Sequence, residues 1–596
     1  MNQSISSDTN PRQTTRRVRW LFALIVIAIG VFWLRTFYLQ VIRYDYYSKA
    51  ALSVHQKEYQ IPATRGLIQA HSGEQIVPIV LNQKLYTVFA DPVMVKDVDK
   101  VSASLVDVLG GKQNDYKTKL RTKDTRYVII AKKLDVEKKN AILKHKYPGV
   151  GAQEISYRTY PNGALASQLL GFVNDEGKGV YGVEQALNEQ LAGKAGQLKA
   201  VTDVDGVPLA ANTENIQVAP EAGAHITLTV DMAIQQQLEK ILQQGLKDAK
   251  SQSGSALIMD PNTGAVKAMA NWPTYDPTNF SNVDDPSVFM NSAVSSPLEV
   301  GSIMKPLTAA AALDKGVVTA NSSYDDPASW LIDEYRITNI EEDGGPGRRN
   351  VADILNLSLN TGAAWLLMQM GDPGSTEINK TGRSVWHDYM VNHFRLGQLT
   401  GIEQGYEAKG TIPDPNKGFA RDLTYANTSF GQGMSATPLQ MAAAFSAMVN
   451  GGTYYRPYLV EQRVDYAGKK TVTQPEVLRS NVVSPKVSQE MRSLLEYVVE
   501  NHHLKPPFDH KTFGVGGKTG TAQIADPNGA GGYREHDFNG TYLGFVGGDK
   551  AEYVIMVRVN EPKVPGYAGS QAAQPIFGTI AHMLIDNFDV TPKGHQ

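Results

Sequence analysis

The hydrophobic residues fall first into one dense block near the N-terminus. Trp20 to Leu34 is apolar and uncharged, and Arg12, Arg16, Arg17 and Arg19 precede it. A helix over that run would rise only about 22 Å, short of a hydrocarbon core of roughly 30 Å, so the span is expected to continue past Arg35 through Phe37, Tyr38, Leu39 and Val41 to Ile42. Arg35 would then snorkel to the outer interface or pair with a polar group on another membrane helix. The arginine cluster should stay in the cytoplasm and place everything after the run outside. Phe32 to Tyr38 offers no small-residue cleavage site, which argues against a cleaved signal peptide.

Farther along, the apolar positions change period. Ser255 to Met259 and Ala265 to Ala270 alternate around Asp260-Pro261-Asn262-Thr263-Gly264 and predict a hairpin. Leu307 to Leu313 is an alanine-rich helical run, Ala363 to Leu367 begins another after the apolar Val351 to Leu357, and Leu439 to Val449 predicts a long core helix. Phe513 to Gln523 is a Gly- and Thr-rich strand, followed by a hairpin of Tyr542 to Val546 and Tyr553 to Val559 around Gly547-Gly548-Asp549, with a final helix Gln574 to Phe588. An opening hairpin and closing strands around a helical middle predict an α+β fold, an antiparallel sheet covered by helices.

Composition narrows the function classes. At 596 residues the chain is too long for one core, so two or more domains are expected. Lys and Arg number 58 against 60 Asp and Glu, a formal net charge of −2 with no basic surplus to suggest nucleic acid. Cysteine is absent, which excludes disulfides and thiolate metal sites and suits an extracytoplasmic protein. The 12 histidines show no H-E-x-x-H or comparable ligand spacing, and His502-His503 reads as a polar helix end.

The chemistry lies in three strings: Ser302-Ile303-Met304-Lys305, Ser358-Leu359-Asn360 and Lys518-Thr519-Gly520-Thr521. In the first, serine and lysine stand one helical turn apart, so the Lys305 amine can reach the Ser302 hydroxyl. A serine hydroxyl is a poor nucleophile, and a lysine serves as its base only when burial or neighbouring cations lower the lysine's own pKa. Gly301 before it and Pro306 after it predict that Ser302 opens a helix, whose positive end favours a developing oxyanion. No other serine in the chain is followed three places later by lysine. Ser358 and Asn360 could relay a proton between Lys305 and a leaving amine and hold a substrate backbone; the plainer alternative is a helix cap. K-T-G occurs twice, and Lys380-Thr381-Gly382 lies in a polar stretch with no strand pattern, so it reads as a decoy. Lys518 would face a substrate carboxylate with Thr519 or Thr521 bonding to it, and the glycines of its strand would let a substrate backbone approach closely.

S-x-x-K, S-x-N and K-T-G in this order and spacing, behind one membrane anchor, resemble the site of class B penicillin-binding proteins. The resemblance runs from about Arg16 to Asn587. Thr428-Ser429-Phe430-Gly431-Gln432-Gly433 with Ala436 to Gln440 resembles the family segment before its long core helix. Ala63-Thr64-Arg65-Gly66-Leu67-Ile68, Gly171-Phe172-Val173, Gly182-Val183-Glu184 and Leu191-Ala192-Gly193 resemble its pedestal, with Glu184 read as a structural carboxylate paired, for example, with Arg65. Val300 and Ile303 stand where the family usually has proline and a small hydroxyl residue, and Ala70-His71 where it has Asp-Arg.

The resemblance implies a penicillin-binding transpeptidase fold with an elongated pedestal: a cytoplasmic tail 1–19, an anchor 20–42, a pedestal or dimerisation-like domain 43–224, a transpeptidase domain 225–590 and a tail 591–596. It implies that Ser302 attacks the D-Ala-D-Ala carbonyl of a peptidoglycan stem peptide and that an amine of a neighbouring stem captures the acyl-enzyme. The catalytic set would be Ser302, Lys305, Ser358, Asn360 and Lys518, with Thr519, Gly520 and Thr521 binding substrate and the backbone N–H groups of Ser302 and Thr521 forming the oxyanion hole. It implies no cofactor and no metal. The partners would be stem peptides and lipid-linked precursor strands, β-lactams, a polytopic membrane glycosyltransferase of the shape-elongation-division-sporulation class, and other division or elongation proteins. The location implied is the plasma or inner membrane, single-pass, with the N-terminus cytoplasmic and the catalytic domain outside. Chain length, the compact pedestal and Ser429 to Gly433 lean toward the septal type over the elongation type. The rivals are a D,D-carboxypeptidase, a catalytically silent wall-synthesis scaffold, and a β-lactamase or β-lactam receptor; against a class A hydrolase, no E-x-x-x-N string lies between Asn360 and Lys518.

Overall fold

The computed structural model describes residues 11–47, 56–201, 216–339, 345–502, 504, 507–526 and 532–594. Residues 1–10 of the expected cytoplasmic tail, 595–596 of the expected C-terminal tail, and His503 lie outside the described residues. The chain divides into two compact units.

The first unit takes residues 1–63 and 194–221. Its helix Pro11–Phe37 passes into a π-helical turn Tyr38–Ile42. The apolar part, Arg16–Ile42, is 27 residues long, a rise of about 40 Å and therefore enough to cross a bilayer. It runs past Arg35, as the length argument required, and the Arg35 guanidinium lies 5.8 Å from the Tyr38 ring centroid. Strands Gln56–Ile61, Gly196–Val201 and Ile216–Val218 form a small antiparallel sheet in that order.

The second unit, residues 64–193 and 222–596, carries two large sheets. One has seven strands, and within it His225–Asp231 lies parallel to Ile68–Ser72 while Ile68–Ser72 lies antiparallel to Gln75–Ala90. This sheet therefore takes strands from both sides of residue 224. Glu184 is fully buried nearby, paired with Arg65 at 2.5 Å, as the sequence suggested, and with Arg158 at 2.6 Å.

The other sheet has five antiparallel strands, β1 (Ser253–Met259), β2 (Val266–Trp272), β3 (Gly514–Ala525), β4 (Tyr533–Gly547) and β5 (Ala551–Asn560), in the order β2-β1-β5-β4-β3. Helices α1 (Met232–Asp248), α2 (Lys305–Asp314), α3 (Asn360–Gly371), α4 (Pro438–Val449) and α5 (Gln574–Asn587) complete it. Alternate strand residues enter different cores. Ala256, Ile258, Ala268 and Ala270 pack with Leu238 and Leu242 of α1 and Phe577 and Ile580 of α5. Leu257, Met259, Val266 and Met269 pack with α2, α3 and α4 through Ala309, Leu366 and Phe445. Helices thus cover both faces of the sheet, so β1 and β2 are buried along nearly their whole length instead of facing water on alternate residues.

The central helix α4 is buried along all 12 residues, as expected of a helix apolar all round. Thr437 starts it with a capping box: its side chain accepts the Gln440 N–H while the Gln440 side chain accepts the Thr437 N–H.

Candidate active site

Ser302 lies in a 3-10 turn, Gly301–Met304, that runs directly into α2. The turn can be this tight because Gly301 takes φ +63°, a left-handed conformation that costs glycine nothing. Its backbone is pressed against β3, where a Cβ on Gly301 would fall 2.8 Å from the Thr521 carbonyl oxygen. Val300 and Ile303, the residues that differ from the family pattern, are fully buried beneath the turn.

Lys305 is fully buried, and its Nζ donates to Ser302 Oγ at 3.0 Å and to Ser358 Oγ at 3.1 Å. A third bond goes from Nζ to the Ser358 carbonyl oxygen. Ser358 reaches the lysine with both oxygens by adopting φ +57°, a conformation that costs a non-glycine residue about 1–2 kcal/mol and that is found where function holds a backbone in place. The helix-cap alternative does not fit: Leu359 is the N-cap of α3 and no side chain caps it. Asn360 is placed differently from its neighbour, since its Nδ2 donates to the Thr338 carbonyl at 3.0 Å. The start of α3 is braced below by Thr361, whose hydroxyl bonds to Asp326 at 2.9 Å and whose N–H donates to Asn339 at 3.0 Å.

Lys518 is 2% exposed on β3, with its Nζ 3.4 Å from Thr519 Oγ1. Thr521 Oγ1 accepts the Gly569 N–H at 3.0 Å, which leaves its hydroxyl proton able to face a ligand. The β3 glycines correct the expectation that missing side chains make room for substrate. A Cβ on Gly516 would meet the Phe545 ring at 2.4 Å, one on Gly517 the Tyr542 ring at 2.5 Å, and one on Gly520 the Thr541 Oγ1 at 2.2 Å and the Val300 carbonyl at 2.8 Å. The protein itself fills the space. The other K-T-G string opens the helix Lys380–Asp388, with Lys380 and Thr381 exposed and Asn379 capping the Gly382 N–H.

Residues that the sequence reading passed over hold the segment before Ser302. Asn271, Ser255, Arg558 and Thr541 stand in one line across β2, β1, β5 and β4, which ends on Gly520 of β3. Asn271 accepts from Ser292 Oγ at 2.7 Å, Arg558 donates to the Ser296 carbonyl at 2.8 Å, and Thr541 donates to the Val300 carbonyl at 3.1 Å. This polar row pins the segment 292–300 that leads into Ser302. Burial drives the Arg558 guanidinium down to about 10. The available signal was a lone arginine inside the apolar run Tyr553 to Val559. Among the described residues no group of His, Asp or Glu is arranged to hold a metal ion.

Comparison with known proteins agrees with this geometry. Residues 254–582 match the penicillin binding protein transpeptidase domain, and residues 60–228 the penicillin-binding protein dimerisation domain. Stage V sporulation protein D of Bacillus subtilis is 30% identical over 98% of this chain and 88% of its own length. Peptidoglycan D,D-transpeptidase FtsI of Escherichia coli K12 is 26% identical over 96% of this chain and 93% of its own. In fold, the chain is similar to penicillin binding protein 2X from Streptococcus thermophilus, with a TM-score of 0.71 and 23% identity over 90% of this chain and 81% of that one. With the Ser302 turn, a buried lysine and a K-T-G strand set on a sheet of this topology, and with both domains matched in order, the chain belongs to the class B penicillin-binding protein transpeptidases.

Proposed function

We propose that the protein is a peptidoglycan D,D-transpeptidase that cross-links stem peptides through an acyl-enzyme on Ser302. The observation that carries this is the contact of the buried Lys305 Nζ with both Ser302 Oγ and Ser358 Oγ. Lys305 takes the Ser302 proton as Oγ attacks the carbonyl of the penultimate D-Ala. The N–H groups of Ser302 and Thr521 stabilise the oxyanion. As the tetrahedral adduct collapses, the proton passes by way of Ser358 to the leaving D-Ala amine. Lys518, Thr519 and Thr521 hold the terminal carboxylate, and Asn360, bonded to the Thr338 carbonyl, borders the cleft on the α3 side. An amine from a neighbouring stem then attacks the acyl-enzyme and gives the cross-link, with the proton steps reversed. β-Lactams acylate the same serine.

The arrangement along the chain supports an extracytoplasmic catalytic domain 225–590 and a pedestal 43–224 behind an anchor 20–42, with the N-terminus in the cytoplasm. Septal wall synthesis is the role we assign, on the string Ser429 to Gly433 and the FtsI relatives. A polytopic membrane glycosyltransferase is the partner we assign to the anchor and pedestal. The test of the chemistry is labelling with a fluorescent penicillin and mapping of the modified peptide. The adduct should sit on Ser302 and vanish in Ser302→Ala with the melting temperature unchanged; an adduct on Ser358, or labelling of the alanine variant, would overturn the assignment.

A further inference from the structure

Three segments around the nucleophile meet at one carboxylate. Glu299 precedes Ser302 by three positions, and its Oε1 accepts the Gly433 N–H at 3.0 Å and the Tyr533 hydroxyl at 3.0 Å. Its Oε2 is buried and has no hydrogen-bond partner among the described residues. Gly433 belongs to the loop whose Gly431 carbonyl accepts the Gly301 N–H at 3.1 Å. Residues 299–301 and 431–433 are therefore fastened to each other by a bond at each end. Tyr533 opens β4 opposite Ala525, at the end of the strand that carries Lys518 to Thr521. Gln432 adds a second link between the same loop and the same strand, Nε2 to Gln523 Oε1 at 3.4 Å.

We propose that Glu299 is a positioning residue for acyl transfer: through Gly433 and Tyr533 it holds the Ser302 turn and the β3–β4 hairpin, which bear the two halves of the site, in fixed relation. The proposal rests on Ser302 being the acylated nucleophile. The electrostatics agree with a desolvated carboxyl bound to a hydroxyl. Burial raises the Glu299 carboxyl above its ordinary range, and the Tyr533 hydroxyl is pushed up to about 12, by burial first and by Glu299 next. Here the shared acceptor oxygen ties a loop beside the nucleophile to the strand of the substrate-carboxylate site.

The test is stopped-flow acylation of the full chain by a chromogenic cephalosporin, giving the maximal acylation rate constant and the noncovalent dissociation constant separately, alongside thermal melting. Glu299→Ala should lower the rate constant by about 10- to 100-fold, the scale of a misplacement near 1 Å, with the dissociation constant and melting temperature near wild type. Tyr533→Phe should lower it in the same sense, and the double variant should be no slower than Glu299→Ala, because both remove one shared bond. Glu299→Gln, which keeps the acceptor oxygen, should recover most of the rate. A wild-type rate constant in Glu299→Ala, a loss confined to the dissociation constant, additive losses, or a rate that falls only in step with melting would each overturn the proposal. Mass mapping of the wild-type adduct separates the two levels: no adduct on Ser302 removes the underlying reading, whereas an adduct there with unaffected Glu299 variants removes the positioning role alone.

Discussion

Gly520→Ala tests whether the K-T-G glycine serves the protein's own packing. The added Cβ would lie 2.2 Å from Thr541 Oγ1 and 2.8 Å from the Val300 carbonyl oxygen, well inside normal contact. Overpacking of a tight site costs about 1–3 kcal/mol. If the Thr541 hydroxyl turns away, the Val300 carbonyl loses its 3.1 Å donor, and leaving a buried acceptor unpaired costs about 1–3 kcal/mol more. Against this, replacing glycine stabilises by about 0.4–1 kcal/mol through the unfolded chain. The net is a loss of about 1–6 kcal/mol, a large part of a domain stability of about 5–15 kcal/mol. Where the strand yields instead, Val300 moves and Ser302 with it, and acylation should slow by about 100-fold. Thermal melting and acylation by a reporter β-lactam measure the two outcomes. Gly532→Ala, the same change where nothing among the described residues lies within 4 Å, is the control and should be close to neutral. Wild-type melting together with wild-type acylation in Gly520→Ala would refute the packing argument.

Lys518→Ala should slow acylation by about 100-fold or more through loss of a charge-assisted contact, while the exposed Lys380→Ala should stay near wild type; equal losses at both would show that the wrong string had been chosen. Glu239 gives a pH prediction: burial, outweighing bonds from Gln235 and the Ala166 N–H, raises its carboxyl above the ordinary 4.5. The folded chain then holds that proton longer than the unfolded chain, so this contribution to stability is present below pH 4.5 and is lost as pH rises through the folded value. Glu239→Gln should therefore gain in melting temperature relative to wild type as pH rises above that point, and a pH-independent difference would contradict the shift. The mature chain should keep its N-terminus and stay with membranes through a high-salt wash, which screens charge but not apolar burial; a mature start between Leu34 and Asp45 would identify a signal peptide instead.

The local parts of the structure were legible. Apolar runs bounded by glycine turns located the β1–β2 and β4–β5 hairpins, and helical spacing placed Lys305 against Ser302. What failed was non-local. The glycines of β3 looked open because the rings of Phe545 and Tyr542, which fill them, belong to a neighbouring strand. The bond from the Asn360 amide to the Thr338 carbonyl could not be foreseen, because no local pattern brings residue 338 beside the start of α3. Arg65 could be matched to Glu184, whereas Arg158 on the opposite side of that carboxylate could not. The parallel pairing of His225–Asp231 with Ile68–Ser72 joins segments whose register no short-range pattern records.

The polar row beneath Ser302 also sets a timetable. Thr541 stands 241 residues beyond the Val300 it holds, and Arg558 stands 262 beyond Ser296. A chain emerging N-terminus first presents its serine long before these strands exist to seat it, and pairings of such long sequence separation are slow to close. If Ser302 is the acylated serine, as proposed, its seat is complete only once the C-terminal strands have docked, so covalent capture of a β-lactam would report completed folding of the transpeptidase domain.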